Sequence, residues 1–194
     1  MAARSLTRER ILDAALALAA DRHWEYLRLH QVAAELGVSL ADLSVHLDEK
    51  ETLVDWLWDR ADRGMLEQCR GEAFEALDFH ARFCACVTAW LSVIAPHRRS
   101  FREMLMVRLE PGHLHIQLPT LFSISRSVQW MRELCGRDAG FLRRAAEETA
   151  LTSVFVSTLI LWLGDESHGG TRSRDWLHAR LDQAIALSKW WPVA

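Results

Sequence analysis

From Ile11 onward, apolar residues recur three and four positions apart, and no alternating run bounded by hairpin turns interrupts them. That spacing buries one stripe of a helix and leaves a strand with both faces mixed, so the chain is read as all-α. Nine helices are expected. Ser5 or Thr7 caps the first, which runs to about Asp21 with Ile11, Leu12, Ala15, Leu16 and Ala19 on one face. A short second helix, about Leu29–Leu36, stops at Gly37, and Ser39 caps a third over about Leu40–His46. Asp48 and Glu51 start a fourth, with Leu53, Val54, Leu57, Trp58, Ala61 and Met65 as its buried stripe. Further helices are expected over about 74–95 and 96–109, then from the turn containing Pro119 to Gly136. The last two cover about 140–163 and 174–189, and loops fall at Pro111–Gly112 and Asp165–Ser173.

Half of the 194 residues are hydrophobic and a quarter charged, with a net charge of −3, which excludes a disordered chain and a globally basic one. Any contact with nucleic acid must therefore come from a local surface. The four cysteines, Cys69, Cys84, Cys86 and Cys135, are unevenly spaced and read as reduced thiols. Cys84 and Cys86 diverge around a helix and suit no common metal, His113-x-His115 reads as a solvated loop, and Glu147–Glu148 as a solvated helix face. No phosphate loop, nucleophile elbow or His-Glu-x-x-His pair occurs, so no enzyme, cofactor or metal is expected. The amino terminus lacks the apolar core of a secretory signal. The charge-free stretch 149–164 is short for a membrane span and contains Thr152, Ser153, Ser157 and Thr158. A cytoplasmic protein without membrane insertion is expected.

Gln31–His46 has the anatomy of a helix-turn-helix: Val32, Ala33 and Leu36 pack the first helix, Gly37 makes the turn, Val38 plugs the angle, and Leu43 packs the second. With Ile11-Leu12-Asp13-Ala14-Ala15, Val32-Ala33, Gly37-Val38-Ser39, Leu43 and Lys50-Glu51-x-Leu53, the segment Ile11–Val54 resembles the DNA-binding domain of the tetracycline-repressor (TetR) family of bacterial transcription regulators. The resemblance implies a homodimer on a pseudo-palindromic operator, with a DNA-reading domain over 1–50 and a ligand-binding and dimerisation body over 51–194. It departs from the family where Lys, Thr and Tyr donors usually start the recognition helix; Leu40, Ala41, Asp42, Ser44, His46 and Leu47 stand there. Residues 1–50 carry six basic against eight acidic side chains. DNA affinity is therefore expected from Arg8, Arg10, Lys50, Ser39, Ser44 and His46, with Asp42 opposing phosphate approach.

In the body, Trp90, Trp130, Phe155 and Trp162 are candidates to line a cavity for a small hydrophobic ligand. The charge-free face with Ser153, Ser157 and Leu161, together with Trp176, suits close helix packing across a two-fold axis. Ala95–Arg98, Trp130 and 154–167 also resemble ubiquinone-biosynthesis accessory proteins that keep a TetR fold and bind isoprenoid lipids. That resemblance implies an alternative, a lipid-binding protein with a degenerate helix-turn-helix.

Overall fold

The computed structural model describes residues 5–108, 114–138 and 140–188, and all regular structure among them is helical. The helices are α1 Arg8–Asp21, α2 Leu29–Leu36, α3 Leu40–Ser44, α4 Thr52–Gln68, the single turn α5 Glu72–Glu75, α6 Phe79–Ile94, α7 Arg98–Arg108, α8 Leu114–Leu134, α9 Phe141–Leu163 and α10 Thr171–Ser188. Short 3₁₀ turns cover Trp24–Tyr26, Ala95–His97 and His168–Gly170.

Two compact units emerge, one of residues 1–60 and 94–120, the other of 61–93 and 121–194. The first takes in α7, for reasons visible in its contacts. Glu103 of α7 accepts hydrogen bonds from the Trp24 backbone N–H at 2.7 Å and contacts the His23 ring nitrogen at 2.8 Å. The Ser100 hydroxyl donates to the Ala19 carbonyl, and Phe101 packs on Trp58 with ring centroids 5.8 Å apart. At the end of α7 the buried Arg108 guanidinium donates to Asp55, the Thr120 hydroxyl and the Glu51 carbonyl. Burying Ile11, Leu12, Ala15, Leu16, Ala19, Trp24 and Leu27 supplies the apolar drive beneath these polar ties.

In the second unit α9 lies along α10, and Leu151, Val154, Phe155, Leu159, Leu177 and Leu181 are buried. Gly64 lets α4 approach α6, because a Cβ there would come within 2.5 Å of the Val93 side chain. Residues 79–108 and 142–163 are long and apolar enough to cross a membrane by length and composition. Much of that apolar surface is used inside the protein: Phe83, Cys86, Val87 and Trp90 of α6 are fully buried, as is Phe155 of α9.

Several expected boundaries shift. The helix expected over 74–95 is two elements, because the Asp78 carboxylate takes the Ala81 N–H at 2.8 Å and caps a fresh start. Pro119 lies inside α8, which begins at Leu114 rather than in the turn containing the proline. A proline there forgoes one backbone hydrogen bond, and the helix continues through it. α10 begins at Thr171, three residues before the expected Arg174. Ahead of it the Asp165 carboxylate accepts from the N–H groups of Ser167 and Ser173 and from the Ser173 hydroxyl; the Ser167 side chain, then that of Ser173, holds the carboxyl well below the usual carboxylate range. Glu147 and Glu148 form no solvated face: Glu147 pairs with Arg137 at 2.5 Å, and Glu148 accepts from Ser125 and Gln129. The expected Pro111–Gly112 loop, His113 and the Lys189 helix end lie outside the described residues, as does the side chain of His115.

Candidate nucleic-acid interface

Thr7 caps α1, its hydroxyl accepting the Arg10 N–H at 3.3 Å. Gly37 takes φ 68, ψ 31, the left-handed conformation in which a side chain would be strained. There its N–H donates to the Ala34 carbonyl and that of Val38 to Ala33, closing the end of α2 and turning the chain into α3. Val32 and Ala33 of α2 and Leu43 of α3 are buried, so the two helices meet on the faces the sequence predicts.

Ser39 and Asp42 make a reciprocal cap on α3. The Asp42 N–H donates to Ser39 Oγ at 3.1 Å, while Asp42 Oδ2 accepts from the Ser39 hydroxyl at 2.7 Å and its N–H at 3.0 Å. The Ser39 hydroxyl, then its backbone N–H, holds the Asp42 carboxyl below its ordinary value, so it stays ionised on the helix surface. α3 ends at Ser44, two residues before the expected His46, and Val45 and His46 form the following turn. Ser44 Oγ donates back to the Ala41 carbonyl. Large apolar side chains are exposed here: Leu40 is 51% exposed and Val45 81%, with Tyr26 of the preceding 3₁₀ turn at 60%.

Of the expected basic contacts, Arg8 lies over the Trp56 ring at 5.4 Å and Arg10 donates to the Ser5 carbonyl. Lys50 is turned inward. Its ammonium lies 3.2 Å from the Trp24 carbonyl and 3.5 Å from that of Glu25, over the Trp24 ring at 5.1 Å, and burial lowers its pKa. It ties the 3₁₀ turn to the start of α4, a role its position in the sequence does not reveal.

None of the four expected pocket residues lines the cavity described below. Trp90 and Phe155 are fully buried and pack edge to face at 5.3 Å, and Trp162 is also buried. Trp130 is 44% exposed. A cavity of about 340 Å³ lies elsewhere in the second unit, lined by Phe79, Arg137, Ala146, Leu151, Ala184 and Ile185 among others. Its signal in the sequence is weak: small residues on α9 and α10 mark the close helix approach but not the void.

Of the expected dimer residues, Ser153 is exposed while Ser157, Leu161 and Trp176 are half-buried. Ser157 Oγ accepts the Trp176 indole N–H at 3.2 Å within the same chain, and the Arg180 guanidinium stacks 4.0 Å above that indole. Nearby on α9, Ile160 is 66% exposed.

No protein-family model and no curated protein matches the chain. Among solved structures it is similar to TetR regulators from Rhodococcus sp. RHA1 (TM-score 0.70, 17% identity, 92% of this chain and 95% of that one) and, described as TetR-family, from Streptomyces coelicolor (0.66, 14%, 96% and 86%). Those two bear on the fold alone. It is also similar to a TetR transcriptional regulator from Nitrosomonas europaea, with a TM-score of 0.82 and 36% identity. Since that likeness covers 92% of this chain and 98% of its relative, and the helix-turn-helix is built as described, the chain belongs to the TetR family of transcriptional regulators.

Proposed function

We propose that the protein is a cytoplasmic, homodimeric DNA-binding regulator that places two copies of α3 in successive major grooves of a pseudo-palindromic operator and responds to a small hydrophobic ligand. The observation that carries the DNA reading is the reciprocally capped α3, presented by the left-handed turn at Gly37 with its outer side chains exposed. Arg8, Arg10, Ser39, Ser44 and His46 are the polar groups proposed to meet phosphates and base edges. Lys50 is left out because its ammonium already serves two carbonyls. For the ligand, support comes from the cavity lined by Arg137 and residues of α6, α9 and α10, whose volume falls in the range of small-molecule sites. Such a ligand regulates only if it binds one spacing of the two α3 helices better than the other.

Binding to the DNA upstream of its own gene, titrated with salt from about 50 mM, tests the reading, because phosphate contacts weaken steeply as salt rises. A specific complex at low salt is expected, and Lys50→Gln should leave the salt slope unchanged while lowering the melting temperature. Absence of any specific complex at that salt overturns operator binding at that site. A slope reduced by about one in Lys50→Gln would return Lys50 to the phosphate-contacting set.

Dimerisation is proposed through the exposed faces of α9 and α10. Ile160→Arg is accommodated by a single chain, where the side chain is largely in solvent, but puts an unpaired charge into a desolvated interface. Sedimentation should show the variant dissociating at about tenfold or more higher concentration than wild type, with unchanged helix content. Identical dissociation places the interface elsewhere.

A further inference from the structure

His80 and Cys84 lie one helical turn apart on α6, and His178 and Asp182 one turn apart on α10. A spacing of four puts each pair on a single helix face, and the fold turns the two faces toward each other. Cys84 Sγ is 3.5 Å from His178 Nδ1, and His80 Nε2 is 3.3 Å from Asp182 Oδ1. One ligand atom from each of His80, Cys84 and His178 lies within 4.8 Å of the others. The two imidazoles stack with centroids 5.1 Å apart. His80 Nε2 is buried and makes no hydrogen bond among the described residues.

We propose that these four side chains form a binding site for a zinc-class divalent metal ion, joining α6 to α10. Bonds of about 2.0–2.3 Å set the donor atoms of a tetrahedral zinc site roughly 3.3–3.8 Å apart. The 3.5 and 3.3 Å pairs already meet that spacing, and the gaps of up to 4.8 Å among His80, Cys84 and His178 close with small side-chain movements. The donor set, two imidazoles, a thiolate and a carboxylate, suits Zn²⁺ and is too soft for Mg²⁺ or Ca²⁺. Cys84 is buried while His178 and Asp182 are exposed, so the ion has a protected anchor and an open approach from solvent. On binding, the Cys84 S–H bond breaks, its proton passes to water and the sulfur lone pair forms the bond to the metal.

The test is Co²⁺ titration of the reduced, tag-free full chain after chelator treatment. One Co²⁺ per chain is expected, with a thiolate-to-metal charge-transfer band and the visible absorption of tetrahedral cobalt, both displaced by Zn²⁺. Cys84→Ser should abolish the charge-transfer band, and Cys86→Ser should keep it. His178→Gln alters an exposed side chain and folds normally; it should bind Co²⁺ at least about tenfold more weakly, the lower end of the loss seen even for supporting partners of a metal. Zn²⁺ should raise the melting temperature of wild type more than that of His178→Gln. The proposal is overturned by the absence of saturable one-to-one binding, by a band that survives Cys84→Ser, or by a folded His178→Gln chain that binds Co²⁺ as wild type does.

Discussion

Asp62→Ala should destabilise the second unit by about 3 kcal/mol in urea unfolding, the scale set by removing an acceptor from buried donors. Asp62 is 5% exposed on α4 and accepts from the Trp90 indole N–H at 2.8 Å and the Ser127 hydroxyl at 2.5 Å, with Arg126 at 3.4 Å. One carboxylate thus joins α4, α6 and α8 around the fully buried Trp90. Asp62→Asn, which keeps an oxygen for the indole, should lose distinctly less. Burial raises the Asp62 pKa despite these donors, and the sign of the pH dependence follows. A carboxyl whose folded pKa is raised contributes stability that is full below the unfolded value, about 4, and declines as pH rises through the folded value. The gap between wild type and Asp62→Ala should therefore narrow from about pH 4 toward neutrality. Asp165, held below the usual range by Ser167 and Ser173, acts in the opposite sense and loses its contribution on acidification. A wild-type-to-variant gap that widens with pH would show that Arg126 and the hydroxyl outweigh burial at Asp62.

Val45→Asp should weaken operator binding by about 100-fold, given that one good base-edge contact is worth 1–3 kcal/mol and the new carboxylate also repels phosphates. Val45 and Leu40 are the apolar side chains most exposed at the two ends of α3, and such groups meet thymine methyls in the major groove. Because the position is solvent-exposed, the variant should keep wild-type helix content. Asp42→Gln should act oppositely and tighten binding at low salt. Glutamine preserves the reciprocal cap with Ser39 but removes the charge that Ser39 holds ionised. Since that repulsion is screened, the gain should shrink as salt approaches about 0.1 M, where the Debye length falls to about 10 Å. If Asp42→Gln instead weakens binding to one sequence only, Asp42 reads a base, with the amino group of cytosine as the matching donor.

The helices themselves were legible in the sequence because their determinants are local. The three- and four-residue period marked α1, α2, α4 and α9, Gly37 marked the left-handed stop, and Ser39 marked the start of α3. The family resemblance on Ile11–Val54 was legible for the same reason, since it rests on those turn and cap residues. Lys50 shows where local reading ends: its place along the chain suggests a phosphate contact, yet its ammonium turns inward to the Trp24 carbonyl. The break at Asp78 and the continuation through Pro119 were likewise settled by bonds and packing that a periodicity cannot weigh. Only the tertiary structure placed α7 with the N-terminal helices, and only it brought His80 and Cys84 opposite His178 and Asp182. The sequence could determine what each helix offers on its surface, because caps, turns and stripes depend on neighbours a few residues away. Which stripes meet depends on burying the most apolar area with every enclosed polar group paired, and that is settled between segments nearly a hundred residues apart.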